Sequence, residues 1–121
     1  AKGLLYTDPK QLSLEEMYRI AKTYEPGSEA FNDVFDIAVR MYPKDPAANL
    51  NAANAALMRR DVATARKYLD RAPACGEKLL ALGAMALYEG NKQSAEQYFK
   101  EAKAAGMTEA EVNLKFLQYI P

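Results

Sequence analysis

The amino-acid sequence predicts an all-α protein made of helix hairpins that recur along the chain. Three observations carry the prediction. No stretch alternates apolar and polar residues with the period of two that a half-buried strand needs. Alanine is abundant while Thr, Val and Ile are sparse, which favours helix over strand. Cap and breaker residues cut the chain into seven amphipathic segments, and small residues bracketing a larger one return in alternate segments.

Residues 1–11 form a leading segment in which Leu4-Leu5-Tyr6 precedes the turn signal Asp8-Pro9; it reads as the tail of an earlier helix. Ser13 with Glu16 makes a capping box, and Leu14, Met17, Tyr18, Ala21 and Tyr24 mark one helix face as far as about residue 24. Pro26-Gly27 ends that helix. Ser28 caps the second, in which Phe31, Val34, Phe35, Ala38 and Val39 recur at apolar-stripe spacing until Pro43. Asp45-Pro46 places an N-cap before a first-turn proline and opens a third helix, rich in Ala and Asn, to about Arg59. Asp61 caps the fourth, with Val62, Ala65, Leu69 and Ala72 inward and Pro73 as its stop. The fifth runs over 77–88 and ends at Gly90 in a C-cap role. Asn91 caps the sixth, with Ala95, Phe99 and Ala102 inward and Gly106 at its end. Thr108 with Glu111 predicts another capping box, opening a seventh helix with Val112, Phe116, Leu117, Tyr119 and Ile120.

Composition excludes several functions. Half of the 121 residues are apolar and about a quarter charged, which fits a folded domain with a real core. The net charge is zero, so no long-range field draws in nucleic acid or an anionic membrane. Residues 46–75 carry five basic and two acidic groups, a mild basic band. Its members Arg59, Arg60, Arg66, Lys67 and Arg71 fall at a turn and on an outer helix, as a solvated face does. The longest near-unbroken apolar run, 79–88, is about half the length needed to span a bilayer. The N-terminus lacks the apolar core and cleavage site of a signal peptide. The sequence has no histidine and a single cysteine, so His-based catalysis, thiolate zinc sites and an intrachain disulfide are not expected. The acidic pairs Glu15/Glu16, Asp33/Asp36 and Glu109/Glu111 have no partner base or ligand loop and read as solvated faces. Gly83 inside a helix reads as close packing, and Cys75 in a turn as a small inert residue. No enzyme activity, cofactor or metal follows from these residues.

The fourth and sixth helices share one pattern, Ala65-x₃-Leu69-x₂-Ala72 and Ala95-x₃-Phe99-x₂-Ala102, at an offset of 30 residues. The second fits less well, as Phe31-x₃-Phe35-x₂-Ala38, at an offset of 34. Each follows a partner helix across a short polar turn. Small residues let facing backbones approach, and the large residue fills the gap to a neighbouring unit, so the units need one another. Here the chain resembles the tetratricopeptide repeat family. The third unit matches best, through Leu79, Leu82-Gly83, Ala86, Ala95, Phe99 and Ala102; the second matches through Ala53, Ala65, Leu69 and Ala72; the first matches through Phe35, Ala38 and Pro43. Arg19 and Phe31 depart from the family's small residues, which predicts atypical packing of the first pair. The resemblance implies three repeats, 12–45, 46–75 and 76–107, stacked as a right-handed superhelix, with 108–121 as a capping helix. Two further stretches, from Tyr24 to Phe35 and from Tyr42 to Ala56, resemble bacterial cell-envelope proteins in which such a module accompanies outer-membrane-associated domains. That implies one module of a larger protein, on the periplasmic side of the outer membrane.

In the resembled fold the first helix of each unit lines a concave peptide-binding groove. The matching positions are Ser13, Glu16, Ile20, Thr23 and Tyr24; Ala47, Leu50, Asn54, Leu57 and Met58; and Glu77, Leu80, Ala84, Leu87 and Tyr88. Asn51 and Asn54, one turn apart, offer donors and acceptors to an extended peptide; the alternative is that such amides bond to helix ends or turns. The expected contact set is Tyr24, Leu50, Asn51, Asn54, Met58, Leu80, Leu87 and Tyr88. The subtype that grips chaperone tails is not expected, because Glu77 and Ala81 stand where its basic residues belong. A protein or peptide partner is expected, with no nucleic acid and no membrane insertion. The last helix is apolar around most of its circumference, whereas repeat arrays end on polar caps. Val112, Phe116, Tyr119 and Ile120 therefore read as an assembly surface for a neighbouring domain or a second copy, which makes a structural spacer the alternative function.

Overall fold

Cap chemistry sets most of the helix boundaries in the computed structural model, which describes residues 2–120. The helices are α1 (Lys2–Thr7), α2 (Leu14–Ala21), α3 (Glu29–Met41), α4 (Pro46–Met58), α5 (Val62–Arg71), α6 (Gly76–Tyr88), α7 (Lys92–Ala104) and α8 (Glu109–Leu117), with a 3₁₀ turn at Pro9–Gln11. Among the described residues there is no strand. Ala1 and Pro121, which bound the leading and closing segments of the sequence reading, lie outside them. Within the leading segment, residues 2–7 are helical and Pro9–Gln11 turn as a 3₁₀ helix.

At Ser13 both halves of the capping box form: the Glu16 N–H donates to Ser13 Oγ at 3.1 Å, and the Ser13 N–H donates to Glu16 Oε1 at 2.9 Å. Ser28, Asp45, Asp61 and Asn91 accept from the backbone N–H three residues on, at 2.8–3.2 Å. Thr108 does not cap. Its backbone is already helical, and its hydroxyl takes no cap bond. Glu111, free of that role, stands 3.8 Å from Lys103 Nζ. Helix α2 stops at Ala21, short of Tyr24. Its end tightens to i→i+3 bonds (Thr23 N–H to Ile20 O, Tyr24 N–H to Ala21 O), and the Thr23 hydroxyl donates to Ile20 O at 2.7 Å.

The chain divides into two compact units, 1–71 and 72–121. In the first, Leu5, Leu12, Met17, Ile20, Ala21, Val34, Ile37 and Ala38 form a core cluster. Aromatic rings take the place of small residues where α2 meets α3: Phe31 stands edge-on to Phe35 at 4.8 Å, and Tyr18 tilts against Phe35 at 5.8 Å. Arg19 points outward and pairs with Glu15 at 3.1 Å. Helices α4 and α5 pack on alanines: Ala48, Ala52, Ala53, Ala55 and Ala56 on α4, and Ala65 on α5, are all buried.

In the second unit, Ala86, Ala95, Phe99, Ala102, Ala110 and Leu117 form the core, with Leu79, Leu80, Leu87 and Ile120 packed against it. The Phe99 ring lies directly on Gly83, and a Cβ added there would overlap it. Helix α8 packs on α7, and Lys92 Nζ donates to Ile120 O at 2.6 Å at the close of α8.

The turns repeat bond for bond. Between α4 and α5 the Arg60 N–H donates to Leu57 O at 3.0 Å and the Asp61 N–H to Ala56 O at 2.8 Å. Thirty residues on, the Gly90 N–H donates to Leu87 O at 3.0 Å and the Asn91 N–H to Ala86 O at 2.8 Å. Both are left-handed C-caps with φ of +64° at Arg60 and +78° at Gly90, and glycine takes that conformation with less strain.

Candidate functional site

Helix α4 is wrapped in buried alanine on every side but one. Its open stripe is Ala47, Asn51, Asn54 and Met58, at i, i+4, i+7 and i+11, with Leu50 half-buried beside it. Two amides and a flexible thioether on this one face make a surface able to donate, accept and adapt. Met58 is 51 % exposed, and its methyl group reaches the Gly27 turn.

The asparagines of α4 divide by role. Asn49 is buried, and its Nδ2 donates to Pro43 O and Asp45 O at 3.0 Å each, tying the α3–α4 turn to α4. This is the turn-bonding alternative, realised at Asn49. Asn51 faces Tyr18 on α2. Burial raises the Tyr18 pKa and the Asn51 side chain opposes that shift, while no contact brings the buried hydroxyl within hydrogen-bond geometry. Tyr18 was not among the sequence-derived site residues, because its place in the apolar stripe of α2 marks it as core.

Two expected groove positions are corrected. Ile20 and Leu57 are buried, each 5 % exposed. Ile20 shares the inward face of α2 with Met17 and belongs to the first core cluster, and Leu57 lies one residue round from the open stripe. Tyr24 is half-buried against the first cluster. In the second unit the open positions of α6 are Glu77 and Tyr88, with Ala84 partly covered and Leu80 and Leu87 packed on the core.

On α8 and the turn that follows it, Val112, Phe116 and Tyr119 form an outward stripe, 69, 60 and 83 % exposed, while Ile120 turns inward. In the first unit an open cleft of about 220 Å³ lies between α1 and α3, lined by Leu5, Tyr6, Pro9, Ile37, Arg40 and Met41. Leu4, Tyr6 and Met41 are exposed around it. Only Leu4-Leu5-Tyr6 hinted at this surface in the sequence; the part supplied by α3 depends on the fold. A cleft of about 320 Å³ between α7 and α8 is lined by Lys92, Glu96, Lys100, Leu114, Leu117 and Gln118. Its cations are engaged, Lys92 with Ile120 O and Lys100 with Glu96 at 2.9 Å.

Several acidic and basic side chains have partners. Asp36 stands 3.7 Å from Arg59, which also approaches Asp61. Burial, and then the nearby Asp33 charge, raise the Tyr6 pKa. Lys67 and Arg71 lie over the Tyr68 ring at 5.8 and 5.9 Å. Among the described residues no group of three or more metal-ligating side chains converges, and no helix is long and apolar enough to cross a membrane. No protein-family model, curated protein or solved structure matches the chain.

Proposed function

We propose that the chain is a non-enzymatic scaffold of the tetratricopeptide-repeat kind, three hairpins in a right-handed stack plus a terminal helix, that binds an extended protein or peptide segment. The open stripe of α4 is the observation that carries the reading. Asn51 and Asn54 would bond the peptide backbone, and Leu50 and Met58 would take its side chains. The bond-for-bond recurrence of the turns at 30 residues, and Phe99 seated on Gly83, support the repeat arrangement. The setting proposed is a module of a bacterial envelope protein, on the resemblance of the stretches around Tyr24 and Tyr42.

The test is a peptide selected from a random library on the folded chain, followed by amide chemical-shift mapping. Shifts centred on α4 and a loss of affinity of about tenfold in Asn54→Ala are expected, the size of one well-placed hydrogen bond. Shifts confined to other helices, with Asn54→Ala and Asn51→Ala binding like the parent, would remove α4 as the site.

A second reading, assembly through α8, is favoured by one observation: the Val112, Phe116 and Tyr119 stripe is the most exposed apolar face among the described residues.

A further inference from the structure

Of the eight exposed large apolar side chains among the described residues, six fall into two groups: Tyr6 and Met41 lining the α1/α3 cleft with Leu4 next to it in sequence, and Val112, Phe116 and Tyr119 along α8 and the turn after it. One surface is concave and the other is a ridge. A ridge fits a cleft better than it fits its own copy, so the shapes favour a contact between unlike surfaces. We infer that copies of this chain associate head to tail, with the α8 ridge of one seated in the α1/α3 cleft of the next; this rests on the assembly reading of α8.

Charge fixes the direction. On α8, Glu109 and Lys115 straddle the stripe, six residues or about 9 Å apart along the axis. On α3, Asp33 and Arg40 are seven residues or about 10.5 Å apart and lie on the side that meets Tyr6 and the cleft. An antiparallel approach sets Glu109 beside Arg40 and Lys115 beside Asp33. A parallel approach sets like against like. Arg40 Nε donates to Asp36 O at 3.3 Å. Three apolar side chains a side offer a few hundred Å² in place of the roughly 800 Å² per partner of a stable complex. The association is accordingly weak, appearing at concentrations on the order of 1 mM.

Sedimentation velocity on the parent chain, on Phe116→Asp and on Met41→Asp tests this. Both positions are exposed, and far-UV circular dichroism confirms that each variant keeps its helicity. The parent is expected to show mass rising with concentration. Each variant alone is expected to stay monomeric, because each lacks one half of the contact. Mixed one to one, they are expected to form a dimer and nothing larger, the intact ridge of Met41→Asp meeting the intact cleft of Phe116→Asp. A parent that stays monomeric at such concentrations overturns the assembly reading and this inference together. A Met41→Asp chain that self-associates like the parent overturns the inference alone, since α8 then pairs with another α8. Arg40→Glu should weaken the parent's association at least fivefold, and the double variant Arg40→Glu/Glu109→Lys should restore it; a double variant that associates no more strongly than Arg40→Glu refutes the antiparallel pairing.

Discussion

Gly83 shows how one absent methyl group sets the distance between two helices. In an exposed helix, replacing glycine by alanine stabilises by about 1 kcal/mol. Here the added Cβ meets the Phe99 ring, and overpacking of that kind costs about 1–3 kcal/mol. Gly83→Ala is expected to lower stability in urea titration, and Phe99→Leu in the same chain to recover part of the loss. At Asp61, the Thr64 hydroxyl and then the Thr64 N–H hold the carboxyl below its ordinary range, and at Glu16 the Ser13 backbone does the same, followed by the Ser13 side chain. Depressed carboxyls bind protons more readily in the unfolded chain, so their contribution is present above the unfolded value near 4 and is lost as pH falls through the lower folded value. The melting temperature should therefore drop between about pH 5 and about pH 3, and an Asp61→Asn/Glu16→Gln chain should drop less over the same range.

Helix termini offer a matched comparison between an expected cap that forms and one that does not. Ser13→Ala removes a bond to the Glu16 N–H and should cost about 1 kcal/mol. Thr108→Ala removes no cap bond and should stay within about 0.5 kcal/mol of the parent. Thermal melts of the two variants decide it. The sequence pattern Thr-x-x-Glu was sound as a local rule. It failed because Thr108 takes helical dihedrals, leaving its hydroxyl without the extended backbone that would aim it at the first-turn N–H groups. Seven of the helices, the alanine-rich composition of α4 and close packing at Gly83 were readable from the sequence. The burial of Ile20 and Leu57 was not, because repeat register places a residue to within about one position, and one position on a helix is about 100° of rotation. The α1/α3 cleft was out of reach for a different reason: its walls come from residues some thirty positions apart, joined only by the fold.

At the scale of the molecule, the chain forms two units, and each of the core clusters around Met17 and Phe99 lies within one of them. Destabilisation introduced in one unit should be felt there first. Hydrogen exchange on Gly83→Ala is expected to show faster exchange across residues 76–117 and smaller change across residues 14–58; equal acceleration in both would mean that the units open together. The recurring turns carry a consequence for how such a chain changes length. Residues 56–61 and 86–91 share the same pair of turn bonds, so a crossover between the two copies of that stretch adds or deletes thirty residues and rejoins the backbone in phase. Such an unequal exchange leaves both shared turn bonds with a partner, and among the described residues Arg60 alone holds the left-handed conformation without being glycine.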